Sequence, residues 1–195
     1  MRPLWFHGQV TEQQEYRVVE ALGDVELREY APCVVAEVTV AGSADEAASA
    51  AFRPLFSYIS GANRTSSSLA MTAPVLQESA GQRLAMTAPV LQESAGPSEW
   101  AVSFVLPGAR PLEDYPVPTD PSVKLRAVPA QLAAALRWSG RWTTSNVTRR
   151  TQELQRQIAD AGWQEVGDAR WARFDPPWKP PFARRNEIVI PVVRR

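Results

Sequence analysis

Two amphipathic helical patterns stand in this chain, each preceded and followed by strand-like segments. That order, strand, strand, helix, strands, and then the same again, restricts the fold more than any single motif does. Val25-Glu-Leu-Arg-Glu-Tyr30 and Val34–Val40 alternate apolar with polar residues on either side of Ala31-Pro32, which predicts two antiparallel strands. The first helix follows. Ala44, Ala47, Ala48, Ala51, Phe52, Leu55, Phe56 and Ile59 keep the helical period on one wide face. Ser43 with Glu46 makes a capping box, and Gly61 supplies the stop. Pro54 lacks a backbone N–H, so a bend near Ala50–Pro54 is expected inside the helix.

Further on, Trp100–Leu106 reads as a strand, and a proline-rich connection from Pro107 to Pro121 leads to strands at Val123–Val128 and Leu132–Trp138. The second helix begins near Thr144 or Ser145 and runs to about Ala161, with Val147, Leu154 and Ile158 on one face and Gly162 as terminator. Ala169–Phe174 and Glu187–Val193 read as the last strands. The expected fold is α+β: two pseudo-repeated ββαββ-like halves, paired edge to edge in a distorted, barrel-like antiparallel sheet flanked by two helices. Residues 1–15 read as a loose N-terminal segment and residues 16–195 as a single domain.

Thirteen residues, LAMTAPVLQESAG, occur identically at Leu69–Gly81 and Leu84–Gly96. Two copies of so short a unit do not make a solenoid. Each copy reads as a short apolar strand, Leu-Ala-Met-Thr-Ala-Pro-Val, followed by a polar turn. The copies are either neighbouring strands or one strand with a duplicated insertion at a sheet edge; alternatively Met71 and Met86 line a shared apolar surface. Soft thioethers suit both roles.

The bulk numbers exclude several function classes. Acidic and basic residues balance at 21 each, so no net charge favours nucleic acid or an anionic membrane surface. The start lacks the apolar run of a signal peptide and no stretch reaches the length of a membrane span, which leads to the expectation of a cytoplasmic protein. One cysteine, Cys33, excludes an intramolecular disulfide and a cysteine-rich zinc site. One histidine, His7, in the N-terminal segment, makes a buried Ser-His-Asp or Cys-His arrangement improbable and a histidine-rich metal site impossible. No catalytic constellation is visible, and the chain is expected not to be an enzyme.

The other unusual stretch is Asp175-Pro-Pro-Trp-Lys-Pro-Pro-Phe-Ala-Arg-Arg-Asn-Glu187. Its prolines stiffen the backbone around Trp178 and Lys179, and an Arg–Glu pair among Arg184, Arg185 and Glu187 can lock it down. Alternatively Lys179 and the arginines receive a ligand carboxylate, for which Arg is the better-shaped partner.

Gly23-Asp-Val-Glu-Leu-Arg-Glu-Tyr30, Tyr58-Ile-Ser-Gly-Ala-Asn63, Met71-Thr-Ala-Pro-Val75, Phe104-Val-Leu-Pro107 and Phe174-Asp-Pro-Pro-Trp178 through Arg184-Arg-Asn-Glu187 together resemble the SOUL heme-binding protein family, in order from about Tyr16 to Val193. The doubled Met-Thr-Ala-Pro-Val resembles its bacterial members. The resemblance implies a sheet of two helix-bearing halves and non-covalent binding of heme or a related tetrapyrrole in a shallow apolar groove beside the first long helix. It also implies a fold-level relation to GyrI-like effector-binding domains. Carried over by position, the groove contacts fall on Phe52 and Phe56, with Leu55 and Ile59 nearby and Met71 and Met86 as further candidates. The family's propionate-meeting lysine matches Lys179. Basic helix positions of eukaryotic members are Ser49 and Ser57 here, and the histidine proposed as an iron ligand has no counterpart.

Protein ligands for heme iron are His, Cys, Met or Tyr. His7, Cys33, Tyr58, Met71 and Met86 are the formal candidates, and weak binding without a strong axial bond is expected. Three function classes follow: a tetrapyrrole carrier or buffer, acting as a monomer or weak dimer; a GyrI-like effector-binding or hydrolytic module, which a buried acidic residue in the groove would favour; and a protein-interaction scaffold.

Overall fold

The computed structural model describes residues 13–64, 81–175 and 178–195. The chain runs through β1 (Tyr16–Leu22), β2 (Val25–Tyr30), β3 (Cys33–Ala41), α1 (Ala44–Ile59), β4 (Asn63–Arg64), β5 (Val90–Gly96), β6 (Glu99–Val105) and β7 (Val117–Pro118). It continues through β8 (Lys124–Val128), β9 (Gln131–Trp138), α2 (Thr144–Asp160), β10 (Trp163–Glu165), β11 (Arg170–Arg173) and β12 (Asn186–Arg194). The main sheet has the order β1-β2-β9-β12-β11-β5-β6-β3-β8, all antiparallel, with β10 added on β12. It curls into a half-barrel whose edges, β1 and β8, do not meet.

The expected α+β architecture of two helix-bearing halves is present, with one correction. β2 and β3 do not pair with each other. β2 pairs with β9 and β3 with β8, so each half takes its outer strand from the other half. The two-residue links explain this. A tight hairpin of two residues needs positive φ at its centre, and Ala31-Pro32 and Pro129-Ala130 each hold a proline locked at negative φ. Both links therefore send the chain across to the opposite half.

Ser43 and Glu46 form the expected capping box on α1: the Ser43 hydroxyl accepts from the Glu46 amide, and the Ser43 amide donates to Glu46 Oε2 at 3.0 Å. The helix runs through Pro54 to Ile59, and Gly61 follows at φ +114°. Ala47, Ala51, Leu55, Tyr58 and Ile59 are buried, the last four of them in one cluster with Val34, Ala36, Val38, Val102 and Phe104. On α2, capped by Thr143, Val147, Leu154 and Ile158 pack on Val25, Leu27, Leu136, Ile188 and Ile190. Each such fully buried aliphatic side chain contributes about 1.5–3 kcal/mol.

The halves meet where Trp171, Ala172 and Arg173 of β11 pair with Gln92, Leu91 and Val90 of β5. Both helices lie on one side of this seam. Val90 packs in the α1 cluster, Gln92 Nε2 donates to the Ala44 carbonyl at 2.7 Å, and Trp171, opposite Gln92, packs in the α2 cluster. Leu91, Arg170 and Ala172 face the other, helix-free side, where they line a narrow cleft with Tyr30 and Val189.

The repeat unit is phased differently from its sequence reading. In the second copy the apolar half up to Pro89 is not a strand, apart from a single bridge at Ala88, and Gln92–Gly96, expected as a turn, belongs to β5. Pro89 offers no N–H to a ladder, whereas Gln92 and Glu93 find partners on opposite faces of the strand. Of the first copy, only Gly81 falls within the described residues. A Cβ there would collide with the Gly61 carbonyl, so the helix stop and the end of the first copy touch backbone to backbone. Asn63 fixes the same point, donating to the Tyr58 and Gln82 carbonyls and accepting from the Gln82 amide, at 2.8, 2.8 and 2.9 Å.

Candidate functional site

The wide apolar face of α1 divides in two. Leu55 and Ile59 are buried and belong to the core. Phe52 and Phe56, one helical turn apart, are each 45 % exposed and stack at 5.7 Å between ring centroids with only 11° between their planes. Phe104 of β6 meets Phe52 edge-on at 5.7 Å, so the exposed pair rests on a buried ring. Ser49, Arg53 and Ser57, also exposed, border it on the helix.

Met86 is half-exposed on the segment that passes the α1 C-terminus, where the Leu84 amide donates to the Ile59 carbonyl at 2.8 Å. Met71 and His7 lie outside the described residues. Among the other formal iron ligands, Tyr58 is buried, with its hydroxyl donating to the Pro116 carbonyl at 2.9 Å and its pKa pushed up to about 12 by that burial. Cys33, on β3, packs against Val35, Val105 and Val128, and burial raises its pKa as well. Neither group is free to turn toward the Phe52–Phe56 face. The described residues hold no cluster of metal-ligating side chains.

Lys179 is not grouped with the α1 residues. Its ammonium donates to Asp175 Oδ1 at 2.6 Å, and it lines a cleft of about 330 Å³ with Arg137, Ser139, Phe174, Arg184 and Arg185. The Arg185 amide also donates to Asp175, at 2.5 Å. Although partial burial works the other way, these two donors hold the Asp175 carboxyl below the usual carboxylate range. Trp178 and Phe182 on the same loop stand almost wholly in solvent.

The helix-free side carries a charged centre that sequence reasoning found only in part. Glu187, 1 % exposed, accepts from Arg28 Nη1 at 2.6 Å and from Arg185 Nε at 2.8 Å. The Arg185–Glu187 pair matches the expected lock on the proline-rich stretch; the Arg28 partner, 159 positions away in sequence, does not follow from it. Arg28 also donates to Glu26 and to the Tyr30 hydroxyl and lies over the Tyr16 ring at 4.3 Å. Burial disfavours its charge, but the hydrogen bonds and charges of Glu187 and Tyr30 together outweigh that and raise its pKa. Tyr30 is pushed up to about 12 by burial. The signal available in sequence was strand alternation. Glu26, Arg28 and Tyr30 share the face of β2 opposite Val25 and Leu27.

Fold and topology together define a two-half, helix-on-sheet domain. Its relatives agree. The sequence model of the SOUL heme-binding protein family matches residues 11–191, and the chain belongs to that family. No curated protein matches it in sequence. Among solved structures, the EcmrR C-terminal domain superposes with a TM-score of 0.62 at 14 % identity, over 92 % of this chain and 99 % of that one. A hydrolase from Listeria innocua gives 0.56 at 14 % identity, over 87 % and 92 %. At such identities the likeness is one of fold alone. Among the described residues no helix is long and apolar enough to cross a membrane.

Proposed function

We propose that the protein binds heme or a related tetrapyrrole non-covalently, with the macrocycle laid on the Phe52–Phe56 face of α1, and that it serves as a cytoplasmic carrier or buffer, a monomer or weak dimer, without catalysis. The observation that carries this reading is the stacked, half-exposed phenylalanine pair in a chain of the SOUL heme-binding family. A contiguous apolar patch with a polar border marks an interaction site rather than ordinary surface. A flat ring system suits two near-coplanar aromatic faces, and Arg53 borders them as a partner for a carboxylate. Leu55 and Ile59 support this face from beneath, and Met86 is a half-exposed thioether two residues beyond Leu84, whose amide meets the Ile59 carbonyl. Tyr58 and Cys33 are committed to packing, which removes two of the formal axial ligands, and the reading rests affinity on the macrocycle.

The effector-binding or hydrolytic alternative called for a buried acidic residue in a groove. Glu187 is buried, but Arg28 and Arg185 occupy both of its oxygens, which leaves it without a role as base or as counter-ion to a cation. The test is a parallel titration of the ligand-free protein with hemin and with metal-free protoporphyrin. Saturable binding of both, within a few-fold in affinity, supports the reading. Binding of hemin alone would shift the weight to iron, and binding of neither would remove the proposal.

A further inference from the structure

The face of the sheet that carries no helix holds a second cavity whose chemistry differs from the phenylalanine face. On β9, Leu136 and Trp138 pack under α2, so Arg137 between them points away from the helices, as does Glu187, its register partner on β12. The cleft of about 330 Å³ on that side is lined by Arg137, Ser139, Lys179, Arg184 and Arg185, with Phe174, Ala88 and Ala183 as its apolar surfaces. Asp175 is its one carboxylate among the described lining residues, and Lys179 and the Arg185 amide already hold it. The Arg185 guanidinium is spent on Glu187 and covers the Phe174 ring at 3.9 Å. The Arg137 side chain is exposed, beside Ser139, and its guanidinium makes no hydrogen bond or ion pair with another described residue. A guanidinium fork at the wall of a pocket is the partner for a planar carboxylate.

We propose that this cleft is a separate ligand site for a small organic carboxylate, with the carboxyl group on Arg137 and Ser139 and the carbon skeleton against Phe174, Ala88 and Ala183. The site is independent of the porphyrin reading, because it lies on the opposite side of the sheet and shares no residue with the Phe52–Phe56 face. Its selectivity is for negative charge. The buried glutamate next to it is neutralised from both sides, so a lipophilic cation finds no counter-ion there.

The experiment compares two probes of the same shape and opposite charge, 2-naphthoate and 2-naphthylmethylammonium, by titration calorimetry on the full chain. Naphthoate is expected to bind once per chain, at least tenfold more tightly than the amine. Arg137→Glu weakens naphthoate at least tenfold, and Arg137→Lys, which keeps the charge but loses the fork, weakens it less than Arg137→Glu does, while the hemin titration of both variants stays as in the wild type. Ser139→Asp, at an exposed position, gives a second charge change should Arg137→Glu melt early, and it weakens naphthoate in the same direction. Equal or tighter binding of the amine overturns the proposal, as does no binding of naphthoate or an affinity that neither charge change moves. A loss of naphthoate binding in Phe52→Ala as large as in Arg137→Glu would put the probe on the helix face and overturn it too.

Discussion

The two helices occupy corresponding places in the two halves, yet they present different surfaces to solvent. α2 exposes Thr144, Ser145, Thr148, Arg149, Gln152, Gln155, Arg156, Ala159 and Asp160, with no large apolar side chain among them. α1 exposes Phe52 and Phe56. The frame has therefore been built twice, but one copy alone keeps aromatic rings where packing does not need them. What folding requires is common to both helices, namely a buried stripe on a sheet. What exceeds that requirement is confined to α1, and it is where a ligand face is to be sought.

The comparison can be broken at its common part first. Glu187 serves the whole sheet. Its removal in Glu187→Ala leaves Arg28 buried without its main partner, and unfolding by denaturant should show a loss of about 3–5 kcal/mol. Leu55→Ala and Leu154→Ala test the equivalence of the halves. Both leave cavities in closed clusters and should each cost about 2–5 kcal/mol, with similar values for the two. A loss confined to one of them would show that the halves are not energetically alike. Ser43→Ala removes the α1 cap and should cost about 1 kcal/mol.

The smallest effect concerns acid. The folded state holds the Asp175 carboxyl below its ordinary pKa, so its contribution is present above about pH 4 and is lost as pH falls through the depressed value. The contribution is at most about 1 kcal/mol for so accessible a pair. Asp175→Asn should flatten the acid limb of the stability profile by that amount and leave neutral stability slightly lower. Lys179→Ala should alter porphyrin affinity less than twofold to threefold, since Lys179 faces Asp175 and the helix-free cleft rather than the phenylalanine pair.

The sequence was informative wherever one local period decided the outcome. Both helices, the Ser43 cap of α1 and most strands were legible in the sequence, the elements because a buried stripe must recur with the element's own period. The division of the α1 face did not follow. Eight apolar positions on one helix exceed what a single sheet can cover, and only the approach of Ala47 and Ala51 to the sheet decides that Leu55 goes beneath and Phe52 stays outside. The exchange of β2 and β8 between halves was legible in principle from the prolines in two short links, but reading it requires knowing where the partner strands lie. Lys179 was read beside the α1 face through a resemblance of motif; the path of its loop sets it in a different cleft. The Arg28–Glu187 contact joins opposite ends of the chain, and no local pattern announces it.

The central claim is that the surplus aromatic pair on α1 holds a macrocycle and is not required for folding. The most direct test is the double variant Phe52→Ser with Phe56→Ser, with thermal unfolding and hemin affinity measured on the same preparation. The account predicts a variant that still folds cooperatively, with a loss of about 2–3 kcal/mol for the buried half of the two rings, together with an affinity lower by about a hundredfold, since each ring covers roughly 1.4 kcal/mol of apolar contact. A folded double variant that binds hemin as tightly as the wild type would contradict it.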